Sequence, residues 1–252
     1  GVAIGTLFPI ARWKAEKRRA KENFETRENT KPAEIADLKI KQWNGHPEFE
    51  KELAQFESVF WEPDDTTTLL HWIGQNLNSN EDRILEIGCG TGLVSLYCRQ
   101  LGAEVVATDI NPAAVANTLY NAEQLGLQDG LECRLVSEEN PAAFSVIADD
   151  EKFDWIISNP PWEDQPVGEV AAYALYDPGF GLLDGILDGA SDHLRHDGQL
   201  LLAYGARTAI ERILSKAPDL GWQVEILDQR DLAGLPEVFV PAMLLILKKS
   251  PR

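Results

Sequence analysis

Three glycines at alternate positions follow a short apolar run, and they constrain the fold more than any other stretch of the chain. The run covers residues 84–87, and the glycines are Gly88, Gly90 and Gly92. Apolar residues at helical spacing begin at Leu93, so the pattern predicts a strand, a tight turn and a helix. Glycine lets the backbone approach a ligand closely, and a helix N-terminus presents N–H groups to an anionic or polar ligand. The stretch therefore predicts a nucleotide-type binding unit.

The spacing of the glycines indicates which ligands fit the turn. A dinucleotide-binding turn reads G-x-G-x-x-G, whereas these glycines stand at every second position after Glu86. The Lys-Ser/Thr pair of a Walker phosphate loop is missing from this turn. A second apolar run ends at Asp109, where an acidic side chain can accept both hydroxyls of a ribose. The spacing disfavours an NAD-binding oxidoreductase.

This region resembles the cofactor site of class I S-adenosylmethionine-dependent methyltransferases. The resemblance implies S-adenosyl-L-methionine as the cofactor and a Rossmann-like α/β fold, with a seven-stranded, mostly parallel sheet and an antiparallel last strand. Residues 137–138 stand where the family usually carries an aspartate that meets the adenine amine. The cofactor-binding residues implied are Glu86, Gly88, Cys89, Gly90, Thr91, Gly92, Asp109, Ile110, Ser137, Glu138 and Asn159.

A second motif follows the buried run at residues 153–158, and it reads Asn159, Pro160, Pro161 and Trp162. The carboxyl end of a strand in an open α/β sheet faces the ligand crevice. Two prolines leave carbonyl acceptors without N–H groups, the Asn159 side chain adds an acceptor, and Trp162 offers a face for stacking. These properties suit a planar amine or amide nitrogen. The plainer alternative is a Pro-Pro turn closed by a surface tryptophan.

The second motif resembles the Asn/Asp-Pro-Pro-aromatic signature of amino methyltransferases. That group includes glutamine methyltransferases of the HemK type and enzymes that methylate adenine or ribosomal-RNA guanine amines. Residues 177–185 resemble the helix entry of HemK-type enzymes, but residues 62–67 lack the arginine of their Pro-Arg-Pro-Glu-Thr-Glu-like segment. The resemblance implies that Asn159, Pro160, Pro161 and Trp162 carry the catalysis. A strong general base is not required, because the methyl is already activated and the proton can leave afterwards.

The chain divides into a helical N-terminal extension over residues 1–60 and a methyltransferase domain over residues 61–252. In the extension, helices are predicted at residues 12–28 and 47–56. A helix is predicted at 67–77, with Asp64 or Asp65 as its cap. The resemblance to class I methyltransferases, in which the segment before the first strand often lies over the cofactor, implies Trp61, Asp65 and Thr67 as candidates for the pocket rim. The strands predicted in the domain are 83–88, 104–109, 131–136, 153–158, 198–204, 222–228 and 241–248, and the further helices are 92–101, 112–125, 181–194 and 206–217. Alternating strands and helices predict a parallel sheet, and the last strand, which follows its predecessor without a helix, should pair antiparallel.

Charge bears on the partners of the chain. The formal net charge is −18; the first 50 residues hold 10 Lys/Arg and 8 Asp/Glu, and the rest hold 13 and 33. Such an acidic body repels a phosphate backbone, which disfavours bare nucleic acid. The basic residues 17–21 either form a solvated helix or recruit a substrate or partner.

Composition also bears on location. Three cysteines without metal or disulfide spacing suit a reducing cytoplasm. Apolar runs are too short for a membrane span. We expect no metal, no membrane partner and a cytoplasmic enzyme; Gly1 leaves open whether residues precede it.

Taken together, the residues favour an S-adenosylmethionine-dependent N-methyltransferase acting on a protein side-chain amide or amine. Transfer to a nucleic-acid exocyclic amine or to a small metabolite stays open as an alternative. A binding module that keeps the fold without catalysis is disfavoured by the intact glycines, Asp109 and Asn159. The four histidines stand outside both motifs and are each expected to be surface or structural residues: His46, His71, His193 and His196.

Overall fold

The computed structural model describes residues 38–61, 63–77 and 81–249. Within these ranges the chain forms a seven-stranded sheet with helices packed against it and a separate two-stranded hairpin. None of the helices in this part of the chain is long and apolar enough to span a bilayer. The predicted helix over residues 12–28 and the basic residues 17–21 lie outside the described residues.

The strands and helices are numbered here in chain order. The strands are β1 Ile40–Asn44, β2 Leu53–Phe56, β3 Arg83–Ile87, β4 Glu104–Asp109, β5 Leu131–Leu135, β6 Phe153–Ser158, β7 Leu194–Ala206, β8 Trp222–Ile226 and β9 Val238–Lys249. The helices are α1 Pro63–Asn76, α2 Leu93–Gln100, α3 Pro112–Leu125, α4 Gly181–His193 and α5 Arg207–Lys216.

The large sheet has the strand order β5-β4-β3-β6-β7-β9-β8. Strands β5, β4, β3, β6 and β7 run parallel to one another, and β9 runs antiparallel between β7 and β8. The antiparallel last strand predicted from the sequence is therefore confirmed, as is the mixed α/β fold. The predicted sheet strands are all present, and β7 and β9 extend beyond their predicted bounds.

The core lies on both faces of the sheet, which explains why the central strands are nearly continuous apolar runs. Residues Ile84, Ile156 and Leu201 on β3, β6 and β7 are fully buried. Parallel strands covered by helices on both faces place their carboxyl ends at one edge, where a crevice opens. This arrangement brings the ends of β3, β4 and β6 together.

The helix predicted over residues 47–56 is wrong, because part of that segment forms strand β2, which pairs with β1. The apolar residues that suggested a helical face are buried for other reasons: Phe49 lies edge-on to Tyr97, and Phe56 contacts Tyr120. Helix α3 supplies the partners that favour the extended backbone. Its Asn117 and Asn121 side chains bond the backbone of β2. Residues 38–60, which we predicted to belong to a helical extension, hold a hairpin instead.

Helix α1 begins four residues earlier than predicted, at Pro63. Proline is favoured at the first helical position because its missing N–H would have no partner there. Asp64 and Asp65 consequently lie in the first turn rather than at the cap. The earlier start turns the buried side chain of Asp65 towards the carboxyl end of β6, where it meets Asn159.

Candidate functional site

A cavity of ≈ 550 Å³ opens at the carboxyl ends of β3, β4 and β6. Both sequence motifs line it, one directly after β3 and the other directly after the neighbouring strand β6. The two strands are tied at this edge by Ser158, whose hydroxyl donates to the Ile87 carbonyl at 2.6 Å. The predicted glycine turn and the predicted Asn-Pro-Pro-Trp segment are thereby brought to one site.

The glycine turn requires its glycines for two different reasons. Gly88, Gly90 and Gly92 have φ of 85°, 56° and 88°, in the left-handed region that favours glycine. A Cβ at Gly88 or Gly90 would meet nothing within 4 Å, so these residues leave space open beside the cavity. A Cβ at Gly92 would lie 3.0 Å from the Thr118 side chain, so Gly92 allows α2 and α3 to pack closely.

Hydrogen bonds from two neighbouring elements hold the turn in place. The backbone nitrogens of Gly88 and Cys89 donate to the Thr108 carbonyl on β4, at 2.8 and 3.0 Å. From α3, the Thr118 hydroxyl donates to the Gly90 carbonyl at 3.2 Å, and Asn121 donates to the Thr91 carbonyl at 2.9 Å. The turn is thus fixed before any ligand enters.

Asp109 stands at the end of β4 and lines the cavity, as predicted. One carboxylate oxygen accepts from the Gly90 backbone nitrogen at 2.9 Å, and the other accepts from the Asn111 backbone nitrogen at 2.8 Å. Burial raises the pKa of Asp109, and the backbone donors at Gly90 and Asn111 oppose that rise. The Ile110 backbone also bonds this carboxylate, and because a carboxylate has about four lone-pair directions, capacity remains for a ligand hydroxyl.

Glu86 lies at the end of β3 just before the glycine turn, and its carboxyl is buried in the cavity wall. Burial raises its pKa to about 8, although a hydrogen bond from the Ser95 hydroxyl acts in the opposite direction. The carboxyl is therefore largely protonated at neutral pH, and in that state it can donate a hydrogen bond as well as accept one.

The Asn-Pro-Pro-Trp segment directly follows β6, and both polar atoms of its asparagine side chain are hydrogen-bonded. Asn159 donates from Nδ2 to Asp65 Oδ1 at 3.2 Å, and its Oδ1 accepts from Trp162 Nε1 at 3.2 Å. Trp162 is buried, with 5% of its surface exposed. Its ring occupies space that a side chain at position 205 would need: the nearest ring carbon lies 2.3 Å from where a Cβ at Gly205 would stand. Trp162 thus packs into the β7–β9 region as well as lining the cavity.

Some predicted site residues lie away from the cavity lining. Ser137 and Glu138 are exposed and do not line it; Val136 and the residues from Asn140 to Ala143 stand there instead. Of the three rim candidates, Trp61 and Asp65 line the cavity, whereas Thr67 donates to the Pro63 carbonyl and faces a separate cleft. The four histidines, all within the described residues, lie outside the cavity wall.

The segment that supplies residues 140–143 is anchored to the sheet by Glu151. Its carboxylate accepts from Arg134 at 2.6 Å and from Arg83 at 2.8 Å. These hydrogen bonds with Arg134 hold the pKa of Glu151 well below its usual range. Arg134 also donates to the Val146 carbonyl at 3.0 Å, which fixes the loop after β5 against the cavity.

Part of the cavity wall is aromatic, which the sequence did not indicate. Phe60, Tyr173 and Tyr176 line the cavity, together with Asp177. The Asp177 carboxylate accepts from the Leu182 and Leu183 backbone nitrogens, so it caps the start of α4 within the segment that resembled a helix entry. The tyrosines sit in a stretch without regular spacing, and nothing in their immediate sequence signalled their position.

Comparisons with known proteins agree with this geometry. A release factor glutamine methyltransferase of Cereibacter sphaeroides is 35% identical over 136 residues, which are 49% of this chain and 46% of that protein. One from Salmonella typhimurium is 33% identical over 153 residues, 56% of this chain and 53% of that protein. The chain therefore spans about half the length of these curated relatives.

Similarity in fold extends to solved structures of low sequence identity. The crystal structure of a ribosomal protein L11 methylase from Lactobacillus delbrueckii matches 77% of this chain and 82% of its own, with a TM-score of 0.57 and 19% identity. The model of the methyltransferase small domain family matches residues 58–220, which include the glycine turn, Asp109 and the Asn-Pro-Pro-Trp segment. On that match, which covers more than half of its length, the chain belongs to the methyltransferase small domain family.

Proposed function

We propose that this protein is an S-adenosylmethionine-dependent methyltransferase that methylates a nitrogen of a protein side chain. The observation that carries the proposal is the position of Asn159, which shares one cavity with the glycine turn and Asp109. A side-chain amide is favoured over an amine because the two relatives described above are release factor glutamine methyltransferases. Residues 62–67 lack an arginine, which distinguishes this chain from the HemK-type pattern. The labelling experiment described below identifies the acceptor protein.

The cavity fits S-adenosylmethionine in size and chemistry. Its volume lies within the roughly 300–1,000 Å³ of small-molecule sites. Gly88 and Gly90 leave room for close approach to the backbone, and the Asp109 carboxylate in the cavity wall can accept ribose hydroxyls. Ile110 and Val136 provide apolar wall on the same side. When bound, the cofactor supplies a methyl group on a sulfonium, which is already electrophilic.

The chain's own contribution is to hold and aim the acceptor nitrogen. Asn159 Oδ1 and the Pro160 carbonyl can accept the two N–H bonds of an NH₂ group, which leaves its lone pair for the methyl. Pro160 and Pro161 lack N–H donors that would compete for these carbonyls. Holding two reactants in attack geometry can lower a barrier by ~7–11 kcal/mol, so positioning alone accounts for a large part of the rate.

Electrostatics favours a protein acceptor over bare nucleic acid. The chain carries a net charge of −18, and Asp65 and Asp177 add buried carboxyl groups to the cavity wall. A phosphate backbone would approach this surface against repulsion. The buried thiol of Cys89 in the cavity wall supports a reducing compartment, and we place the reaction in the cytoplasm.

Methyl transfer from tritiated S-adenosylmethionine tests the proposal directly. The enzyme is incubated with bacterial lysate that is then separated into protein, RNA, DNA and small molecules, and in parallel with purified release factor. We expect label in the protein fraction, on a glutamine or another side-chain nitrogen located by mass spectrometry of tryptic peptides. Label confined to RNA, DNA or metabolites would overturn the assignment to a protein substrate, and label in no fraction would overturn the proposed activity.

A further inference from the structure

We propose that Trp162 acts in catalysis through Asn159, by fixing which face of its amide meets the acceptor nitrogen, and does not act as a stacking platform for the substrate. The inference rests on the proposed function, because it assigns a positioning role within that reaction. It departs from the expectation drawn from the sequence, in which the tryptophan stacked on the acceptor. Three features of the described residues carry it.

The first feature is the chemistry of the two groups that bond Asn159. An indole Nε1–H donates and cannot accept, so it selects Oδ1 of the amide. A carboxylate accepts, so Asp65 selects Nδ2. Both contacts are 3.2 Å long, and they point to one orientation of the amide. In the flipped orientation, donor would face donor at Trp162 and acceptor would face acceptor at Asp65.

The second feature is the packing environment of the tryptophan ring. Ring atoms of Trp162 come within 2.3–2.4 Å of the position that a Cβ would take at Gly205 on β7, so the indole fills the space that this glycine leaves open. The residue has only 5% of its surface exposed. An indole buried to this extent offers little surface for stacking against a substrate, and its Nε1–H bonds Asn159.

The third feature is the hydrogen-bonding capacity that Asn159 Oδ1 keeps for the acceptor nitrogen once Trp162 has bonded to it. A carbonyl oxygen has two lone pairs, and Trp162 engages one on Asn159 Oδ1. The second can accept one N–H from the acceptor, while the Pro160 carbonyl accepts the other. If the amide rotated, its NH₂ would face the N–H groups of the acceptor and repel them. The orientation therefore selects an acceptor that donates hydrogen bonds.

Phenylalanine is the informative replacement, because it keeps an aromatic ring and removes the Nε1 donor. If the tryptophan stacks on the substrate, Trp162→Phe retains much of the activity. If it acts through Asn159, Trp162→Phe removes one of the two bonds that set the amide orientation and leaves Asp65 alone to hold it. We then expect a lower kcat, with little change in KM or in cofactor affinity. A matched control is Trp155→Phe on β6, whose ring lies 5.0 Å from Trp72, outside the cavity wall.

A spectroscopic test needs neither substrate nor activity. The protein is labelled with ¹⁵N at its indole nitrogens, and the Trp162 signal is assigned as the one lost in Trp162→Phe. We expect Asn159→Ala to shift this signal and to speed exchange of its proton with water, while Trp155→Phe leaves it unchanged. An Nε1–H signal that is the same in the wild type and in Asn159→Ala would overturn the proposed bond, whatever the enzyme methylates.

A double-mutant cycle tests the catalytic role. Single-turnover rates are measured with tritiated S-adenosylmethionine on the labelled lysate fraction for wild type, Trp162→Phe, Asn159→Ala and the double variant. We expect Trp162→Phe to slow transfer about tenfold, a fraction of the roughly hundredfold loss expected when reacting groups are misplaced. In the Asn159→Ala background the same change should alter the rate less than twofold. An equal loss in both backgrounds, or a loss seen only in KM, would show that the ring acts on the substrate independently of Asn159.

The two tests separate failure of this inference from failure of the proposed function. If no fraction is labelled by the wild type, the proposed activity fails, and the indole signal alone decides whether Trp162 holds Asn159. If the labelled fraction is RNA, the protein substrate fails, and the cycle is measured on RNA instead. Circular dichroism and thermal unfolding accompany each variant, so that an unfolded protein is recognised before its rate is interpreted.

Discussion

The Asp109 carboxylate accepts a hydrogen bond from the Gly90 backbone nitrogen at 2.9 Å, which joins the end of β4 to the middle of the glycine turn. One side chain thus shapes the turn and also faces the cavity. This double role makes Asp109 the residue on which cofactor affinity should depend most strongly, since its loss removes a ligand contact and loosens the turn together.

Replacing Asp109 with alanine should weaken S-adenosylmethionine binding by ~1–3 kcal/mol, because a charge-assisted contact is lost. Asp109→Asn should lose less, since the amide oxygen still accepts one hydrogen bond. Isothermal titration calorimetry with S-adenosylmethionine and with NAD measures both effects. Unchanged affinity in Asp109→Ala would show that Asp109 does not hold the ribose, and binding of NAD alone would contradict the cofactor assignment.

The glycine turn should also depend on Asn121, which reaches it from α3. Asn121 donates to the Thr91 carbonyl at 2.9 Å and also bonds the backbone of Ala54, whereas Asn117 bonds β2 without touching the turn. Either change to alanine should cost about 1–3 kcal/mol of unfolding free energy, because buried polar groups lose partners. Only Asn121→Ala should weaken cofactor binding as well. Equal cofactor affinities in the two variants, both folded, would contradict a link between the hairpin and the turn.

The buried carboxyl of Glu86 should make stability depend on pH. Burial raises its pKa from 4.5 to about 8 in the folded protein, so between these values the folded state binds more protons than the unfolded chain. The free energy of unfolding contributed by Glu86 is therefore complete below about pH 4.5 and is lost as pH rises through about 8. Urea unfolding at pH 6 and pH 9 should show a smaller decline in Glu86→Gln than in wild type. The exposed Glu123 provides the control, and an identical decline in Glu86→Gln and Glu123→Gln would contradict the assignment.

A methyl group added at Gly205 should disturb the packing of the Trp162 ring. The new Cβ would lie 2.3 Å from the Phe239 carbonyl and 2.3 Å from the Trp162 ring. Overpacking of this kind typically costs 1–3 kcal/mol. Gly205→Ala should therefore lower the free energy of unfolding and also slow methyl transfer, while Gly168→Ala, where a Cβ meets nothing within 4 Å, should do neither. Wild-type stability and rate in Gly205→Ala would argue against this packing.

Residues 83–249 follow the sequence-based prediction closely because their signals are local. Buried strands of a parallel sheet are continuous apolar runs, and glycines with φ near 85° leave a recognisable spacing. Position within an open α/β sheet then places Asp109 and Asn159 at one crevice without further information. This part of the candidate site could be derived from local patterns and the rules of sheet topology.

The features that the sequence did not reveal depend on contacts between distant residues. Strand β2 is extended because Asn117 and Asn121, more than 60 residues later, bond its backbone. Trp162 is turned inward because Gly205 leaves room for its ring. Nothing in the spacing of residues 47–56 or 159–162 reports these partners, so a helix was the expectation that the local pattern allowed for residues 47–56.

The central claim is that the Asn-Pro-Pro-Trp segment holds the acceptor nitrogen, and the most direct measurement is kcat for methyl transfer into protein by Asn159→Ala. We expect kcat to fall by roughly a hundredfold or more, the loss expected when reacting atoms are displaced by about 1 Å. S-adenosylmethionine affinity and the circular dichroism spectrum should stay close to wild type. A folded Asn159→Ala enzyme with near wild-type kcat would contradict the account, since the acceptor nitrogen would then be held elsewhere.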